Sequence, residues 1–231
     1  MRFTTSCTAK RRLLDMCRQA AFTMLLAAGA LALSMGGTRA DAASITLVII
    51  GDSLSAGYGL PKEAAFPTQL ERRLRDKGYD IRVVNSGVSG DTTKGGRARL
   101  AWALGDNPDA VLLELGANDA LRGLEPEQAY ENLKAILTTL QAKRIPVLLA
   151  GMRAPPNMGE DYAKAFDDVY TRLDQAFDVV FYPFFLEGVA AIPALNQDDG
   201  IHPNAQGVAV VVDNILPSVE QLLVRTKHDG S

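Results

Sequence analysis

Apolar and polar positions follow one another along this chain in two rhythms. Short β-branched or continuously apolar runs occur at residues 45–50, 81–84, 110–115, 146–150 and 179–181, with Glu114 the one charge inside the third. Runs of this kind predict strands buried on both faces. Stretches with helical spacing alternate with them. Residues 66–77 carry Pro67 in the first turn and Gly78 beyond the end, a start and a stop for a helix. Residues 92–104 read as helical, but Gly95 and Gly96 leave the start open. Residues 125–143 give the clearest helix: Pro126 opens it, and Tyr130, Leu133, Ile136, Leu137 and Leu140 share one face. Residues 160–176 repeat the pattern with Tyr162, Phe166, Val169, Tyr170 and Leu173. Residues 183–203 read as loop or broken helix, and 204–223 as a closing helix.

Buried strands separated by helices predict an α/β fold, a three-layer α/β/α sandwich on a five-stranded parallel sheet of flavodoxin-like type. No repeat, low-complexity tract or linker interrupts residues 43–231, so one domain is expected there. Ligands of such sheets bind beyond the carboxyl ends of the strands. The polar clusters of this chain fall at those ends or just before the last helix.

Residues 1–42 have another character. Arg11, Arg12 and Arg18 precede a 20-residue stretch without a charge, residues 19–38, and Ala40-Asp41-Ala42 follows. A basic start, an apolar centre and small residues at a cleavage position predict an export signal, with a retained anchor as the competing reading. Of the 24 Lys and Arg and the 27 Asp and Glu, six and two fall in residues 1–42. The remaining 189 residues carry 18 basic and 25 acidic side chains, a net charge of -7. That charge disfavours nucleic acid and anionic surfaces as partners, and no stable membrane insertion of the mature chain is expected. Both cysteines, Cys7 and Cys17, lie in the leader, so the mature chain has no disulfide, thiolate nucleophile or Cys-ligated metal.

Histidine is scarce. Of the two, His228 sits in a polar tail, so a histidine acting as general base must be His202, and no histidine-based metal cluster is expected. His202 follows Asp198-Asp199-Gly200-Ile201 and precedes Pro203-Asn204, where Asn204 can cap the last helix. A turn containing glycine can fold either aspartate back onto the imidazole and hold its tautomer. Asp198 and Asp199 compete for that role; spacing favours Asp199 in part, and the resemblance described below adds the rest. A nucleophile belongs on a tight turn after a strand, and Gly51-Asp52-Ser53-Leu54-Ser55 follows the first strand directly, with Ser53 as first candidate and Ser55 as second. Acyl transfer also needs donors aimed at the developing oxyanion. Asn85-Ser86-Gly87-Val88-Ser89-Gly90-Asp91 offers a bare N–H at Gly90, and Gly116-Ala117-Asn118-Asp119 offers a side-chain amide. Each of these segments alone reads equally well as an ordinary turn.

Together the four blocks resemble the SGNH-hydrolase superfamily of GDSL esterases and lipases, closest to its periplasmic acyl-CoA thioesterase I / protease I / lysophospholipase L1 subgroup. The serine block is Gly51-Asp52-Ser53-Leu54-Ser55 with Gly57-Tyr58-Gly59. The glycine block runs from Asn85 to Asp91, the asparagine block from Glu114 to Gly123, and the last is Asp199-Gly200-Ile201-His202-Pro203-Asn204. The resemblance covers nearly all of residues 45–223 and implies Ser53 as nucleophile, His202 as base and Asp199 as its orienter. It implies an oxyanion hole from the N–H groups of Ser53 and Gly90 and the amide of Asn118. The one departure is Ala117, where the family pattern has glycine. A loop over residues 152–161 would lie near an acyl channel, with Leu121, Leu124, Met158 and Phe185 as lining candidates.

The implied activity is hydrolysis of carboxylic esters and thioesters with medium to long acyl chains through an acyl-enzyme. It would act as thioesterase, lysophospholipase or arylesterase on small-molecule substrates, as a monomer without cofactor or metal, in the periplasm or secreted. Rival readings are a short-chain or carbohydrate acetyl esterase of the same superfamily, a glycosidase using Asp52 and Glu114, and a periplasmic binding protein without catalysis.

Overall fold

The computed structural model describes residues 44–226; the export-signal reading of residues 1–42 and His228 lie outside them. Five strands form one sheet: β1 (Ile45–Gly51), β2 (Ile81–Gly87), β3 (Ala110–Glu114), β4 (Val147–Ala150) and β5 (Val180–Tyr182). All pairs are parallel and the order is β2-β1-β3-β4-β5. Residues 47–50 and 110–113 are buried, as apolar runs covered by helices on both faces must be.

Among the described residues eight α-helices surround the sheet: α1 (Ser53–Ala56), α2 (Phe66–Asp76), α3 (Thr93–Ala98), α4 (Leu100–Ala103), α5 (Ala117–Leu121), α6 (Pro126–Ala142), α7 (Glu160–Ala176) and α8 (Ala205–Thr226). α2 packs on α8 and β2, and α8 continues across β3, β4 and β5. Elsewhere α6 packs on α3 and α7. Helix α8 is long and apolar enough to cross a membrane by length and composition. In this fold it is a core helix: Val208, Val211, Val212, Ile215, Val219, Leu222 and Leu223 are all buried.

The strand order places the site. From β1 the chain moves outward to β2, then returns past β1 to β3 and proceeds the other way. A crevice therefore opens at the carboxyl ends of β1 and β3. The register brings those ends level, with Gly51 opposite both Gly87 and Glu114.

Three elements differ from the sequence reading. β2 runs three residues further, through Asn85, Ser86 and Gly87, because main-chain pairing with β1 continues and an edge strand tolerates polar side chains. The helix expected over 92–104 is broken at Arg99 (φ -99°, ψ 7°) into α3 and α4. Asn118, expected in a turn, lies in the first turn of α5. Neither α1 nor α5 spans enough residues to show periodicity.

Candidate active site

The first strand hands over directly to the candidate nucleophile. Asp52 separates β1 from α1 and caps that helix, its Oδ1 accepting from the Leu54 N–H at 3.0 Å. Gly57, in the left-handed region at φ +83°, ends the helix after one turn. The two serines of this turn part company. Ser53 faces a cavity, whereas Ser55 is fully buried and its hydroxyl donates to Glu114 Oε2 at 2.6 Å. Burial and that bond turn the Ser55 hydroxyl away from the cavity that Ser53 faces.

The last block supplies the candidate base. Gly200, at φ +74°, reverses the chain so that Asp199 Oδ1 accepts from the N–H groups of Ile201 and His202, both at 3.0 Å. Asp199 Oδ2 lies 2.6 Å from His202 Nδ1, so Asp199, not Asp198, holds the imidazole. His202 Nε2 lies 2.9 Å from Ser53 Oγ. With Nδ1 carrying the proton toward Asp199, Nε2 is left as the acceptor for the serine hydroxyl. The Tyr58 ring lies against the imidazole, centroids 4.6 Å apart. Partial burial opposes ionisation of Asp199, but the hydrogen bonds from the His202 ring and the two N–H groups outweigh it and hold its carboxyl below the ordinary value. Asn204 accepts from the Gln206 and Gly207 N–H groups at 3.0 Å each, capping α8 just beyond the histidine.

Two of the candidate oxyanion donors arrive from two further strand ends. The Ser53 N–H belongs to the first turn of α1, where helical N–H groups have no intrahelical partner. Asn118 projects from α5 after β3, its Nδ2 3.0 Å from Asp52 Oδ2 and 2.9 Å from the Asp91 main-chain oxygen. Gly90 sits in the turn after β2 at φ +81°, and Arg122 donates to its oxygen at 2.7 Å. Gly90 is not among the residues lining the cavity.

Two buried carboxyls lie beneath the serine. Burial raises the Asp52 pKa to about 6 against the Leu54 and Asn118 hydrogen bonds. Burial, and then the Asp52 charge, pushes the Glu114 carboxyl well above its ordinary value and favours its neutral form. Both are fully buried, which removes them as a glycosidase pair. Among the described residues there is no group of three or more His, Cys, Asp or Glu able to hold a metal ion.

The GDSL-like lipase/acylhydrolase family model matches residues 49–210. The chain belongs to this family. It is 42% identical over 200 residues to the esterase TesA of Pseudomonas aeruginosa, spanning 86% of this chain and 98% of that protein. It is also 42% identical over 190 residues to thioesterase 1/protease 1/lysophospholipase L1 of Escherichia coli, across 82% and 88% of the two. The crystal structure of TesA aligns over 77% of this chain and 99% of that one, with a TM-score of 0.74 and 42% identity. AlinE4, an SGNH-hydrolase family esterase, aligns over 78% and 97% with a TM-score of 0.66 and 46% identity.

In this GDSL-family chain the cavity over Ser53 measures about 360 Å³ and is also lined by Asn118 and His202. Its walls are mainly apolar: Leu54, Ala117, Met152, Pro155, Phe184 and Leu186 among others. Of the four lining candidates, only Leu121 is there. Phe185 turns into the core and stacks edge-on against Phe66 at 4.9 Å. Leu124 is tied down by its main chain, bonded to Asp119 and Tyr162, and Met158 lies beside Gly123. Neighbours in sequence point to opposite sides here, so Phe184 lines the wall while Phe185 does not. Residues 152–156 do line it. A larger basin of about 690 Å³ opens at the other end of the sheet, near Pro146 and Val179, and holds none of these groups.

Sequence reasoning missed the scaffold. Arg99, at the break between α3 and α4, donates to the main-chain oxygens of Gly51 (2.9 Å) and Ser86 (2.6 Å) and to the Asp91 carboxylate (2.6 Å). Asp119 accepts from the Thr93 N–H at 2.8 Å and its hydroxyl at 2.6 Å, tying α5 to the start of α3. The break at Arg99 was foreshadowed only by the two glycines before it.

Proposed function

We propose that this chain is a serine hydrolase of carboxylic esters and thioesters with medium to long acyl chains, acting as esterase, thioesterase or lysophospholipase. The observation that carries this reading is the hydrogen-bonded series Asp199–His202–Ser53, opening onto an apolar cavity of about 360 Å³. A volume at this scale takes a small ligand, and walls of this character favour an acyl tail. The names of the relatives agree with it.

In this mechanism His202 takes the proton of the Ser53 hydroxyl as its oxygen attacks the acyl carbonyl. The N–H groups of Ser53 and Gly90 and the Asn118 amide stabilise the oxyanion. His202 then protonates the departing alcohol or thiol. Water, deprotonated by the same histidine, releases the acid and regenerates the serine. Asp199 keeps the imidazole in the required tautomer and stabilises its charged form. Site and reaction need no cofactor. We further assign the enzyme to the periplasm or to secretion, on the pattern of residues 1–42.

Turnover of p-nitrophenyl esters from acetate to palmitate by the purified protein, with Ser53→Ala alongside, tests the reading. Each buried methylene contributes about 0.8 kcal/mol, so an optimum at medium chains is expected, lost in the variant. Activity confined to acetate would move the assignment to small-acyl or carbohydrate esters. Full activity of Ser53→Ala would overturn the nucleophile.

A further inference from the structure

Hydrogen counting at Asn118 shows a constraint beyond the reaction scheme. An amide nitrogen has two hydrogens. Asn118 Nδ2 has an acceptor on each side, Asp52 Oδ2 at 3.0 Å and the Asp91 main-chain oxygen at 2.9 Å. With both acceptors in place neither N–H is free for an oxyanion. Asp52 is engaged through both oxygens: Oδ1 holds the Leu54 N–H of the helix that carries Ser53, and Oδ2 holds Asn118. Its own N–H faces Glu114 Oε2 at 3.4 Å, the atom that accepts from Ser55. Ser55, Glu114 and Asp52 are all fully buried, so this line of contacts from the end of β3 to the end of β1 is sealed from solvent.

We propose that Asp52 is the positioning residue of the oxyanion hole. One carboxylate oxygen fixes the nucleophile's helix and the other fixes the Asn118 amide, while the acyl oxygen displaces Asp91 O from the second Asn118 N–H. The proposal rests on the reading of Asn118 as an oxyanion donor. Asp52 is suited to the task because a carboxylate only accepts. Its pKa of about 6 leaves it ionised at neutral pH and above. Asparagine has the same shape but one acceptor and one donor, so it cannot serve Leu54 and Asn118 together. Serine can still cap the short helix but leaves Asn118 without its acceptor.

The experiment is a double-mutant cycle in the purified protein on a short p-nitrophenyl ester, with circular dichroism and melting recorded for every variant. Asp52→Asn and Asp52→Ser are each expected to lower kcat at least about tenfold, with KM changing less than about threefold. Asn118→Ala alone is expected to lower kcat about 100-fold. Adding Asp52→Asn to Asn118→Ala should then cost less than about threefold more, because Asp52 acts through the amide already removed. Losses that multiply, or an Asp52→Ser enzyme with native kcat, overturn the proposal while leaving the oxyanion reading intact. An unchanged kcat in Asn118→Ala overturns both. If Asp52→Asn fails to fold, Asp52→Ser carries the same cycle. In the wild-type protein, capture of Ser53 by an alkylphosphonate should shift one Asn118 side-chain N–H resonance, the one facing Asp91, and leave the other in place. Movement of neither overturns the displacement of Asp91.

Discussion

Arg99 donates to the main-chain oxygen of Gly51 at 2.9 Å, so an arginine from a broken helix holds the very residue at which β1 gives way to the Ser53 turn. The same guanidinium grips Ser86 at the end of β2 and the Asp91 carboxylate beyond it. The serine block and the glycine block are thereby tied at one point, and Asp91 passes the restraint on to Asn118 in a third through its main-chain oxygen.

Removing Arg99 should therefore unsettle both stability and turnover. Arg99 and Asp91 are only 16% and 15% exposed, so Arg99→Ala leaves a poorly solvated carboxylate unpaired. Breaking such a pair costs about 3 kcal/mol. Urea denaturation should show that loss, and Arg99→Lys should recover less than half of it because a point charge cannot reproduce the fork. An Arg99→Ala midpoint equal to that of the parent would show that the contact carries no stability.

The two serines of the turn should separate cleanly. Ser53→Ala is expected to abolish ester turnover with an unchanged melting curve. Ser55→Ala should keep turnover within about tenfold and lose about 1 kcal/mol, the cost of one buried hydrogen bond to Glu114. Measuring turnover and urea midpoint for both variants decides it; the reverse pattern would make Ser55 the nucleophile.

The buried carboxyls set a direction for stability against pH. A carboxyl whose native pKa exceeds its unfolded value takes up protons on folding, so stability falls as pH rises between the two values and stays lower beyond. For Asp52 that window runs from 3.8 to about 6, worth about 3 kcal/mol. For Glu114 it starts at 4.5 and extends well above. Glu114→Gln supplies a permanently neutral isostere. Wild type and variant should lie within about 1 kcal/mol at pH 5, close to the ordinary carboxylate value, and wild type should lose ground as pH rises toward 9. Urea midpoints at pH 5, 7 and 9 give the comparison. A wild type that gains on the variant would mean that Glu114 is ionised in the native protein.

Chain-length preference should follow the wall of the cavity. Ala190 lines it from an exposed position, so a larger side chain there can be accommodated without disturbing the core. Ala190→Trp is expected to leave acetate and butyrate esters within about twofold and to lower octanoate turnover about tenfold. That is the equivalent of about two methylenes expelled from the pocket. A uniform loss across all chain lengths would place the acyl tail elsewhere.

What could be read from the sequence alone shares one physical basis: it is local. Apolar runs in period two or in continuous stretches marked all five strands, because each strand must bury its own side chains. An aspartate beside His202 was readable because a short turn with a glycine can bring either Asp198 or Asp199 back to the ring, and the resemblance helped to choose Asp199. The family resemblance extended this by bringing four separated blocks into one site. The tertiary structure decided what depends on distant partners. Arg99 meets Gly51 across 48 positions, Asn118 meets Asp52 across 66, and Ser55 meets Glu114 across 59. No local period encodes such pairs; they exist because parallel strands end level and set their following turns side by side. The cavity wall was decided in the same way. Phe184 and Phe185 are identical in side chain and adjacent in sequence, and only the path of the chain over the sheet turns one toward the cavity and the other into the core.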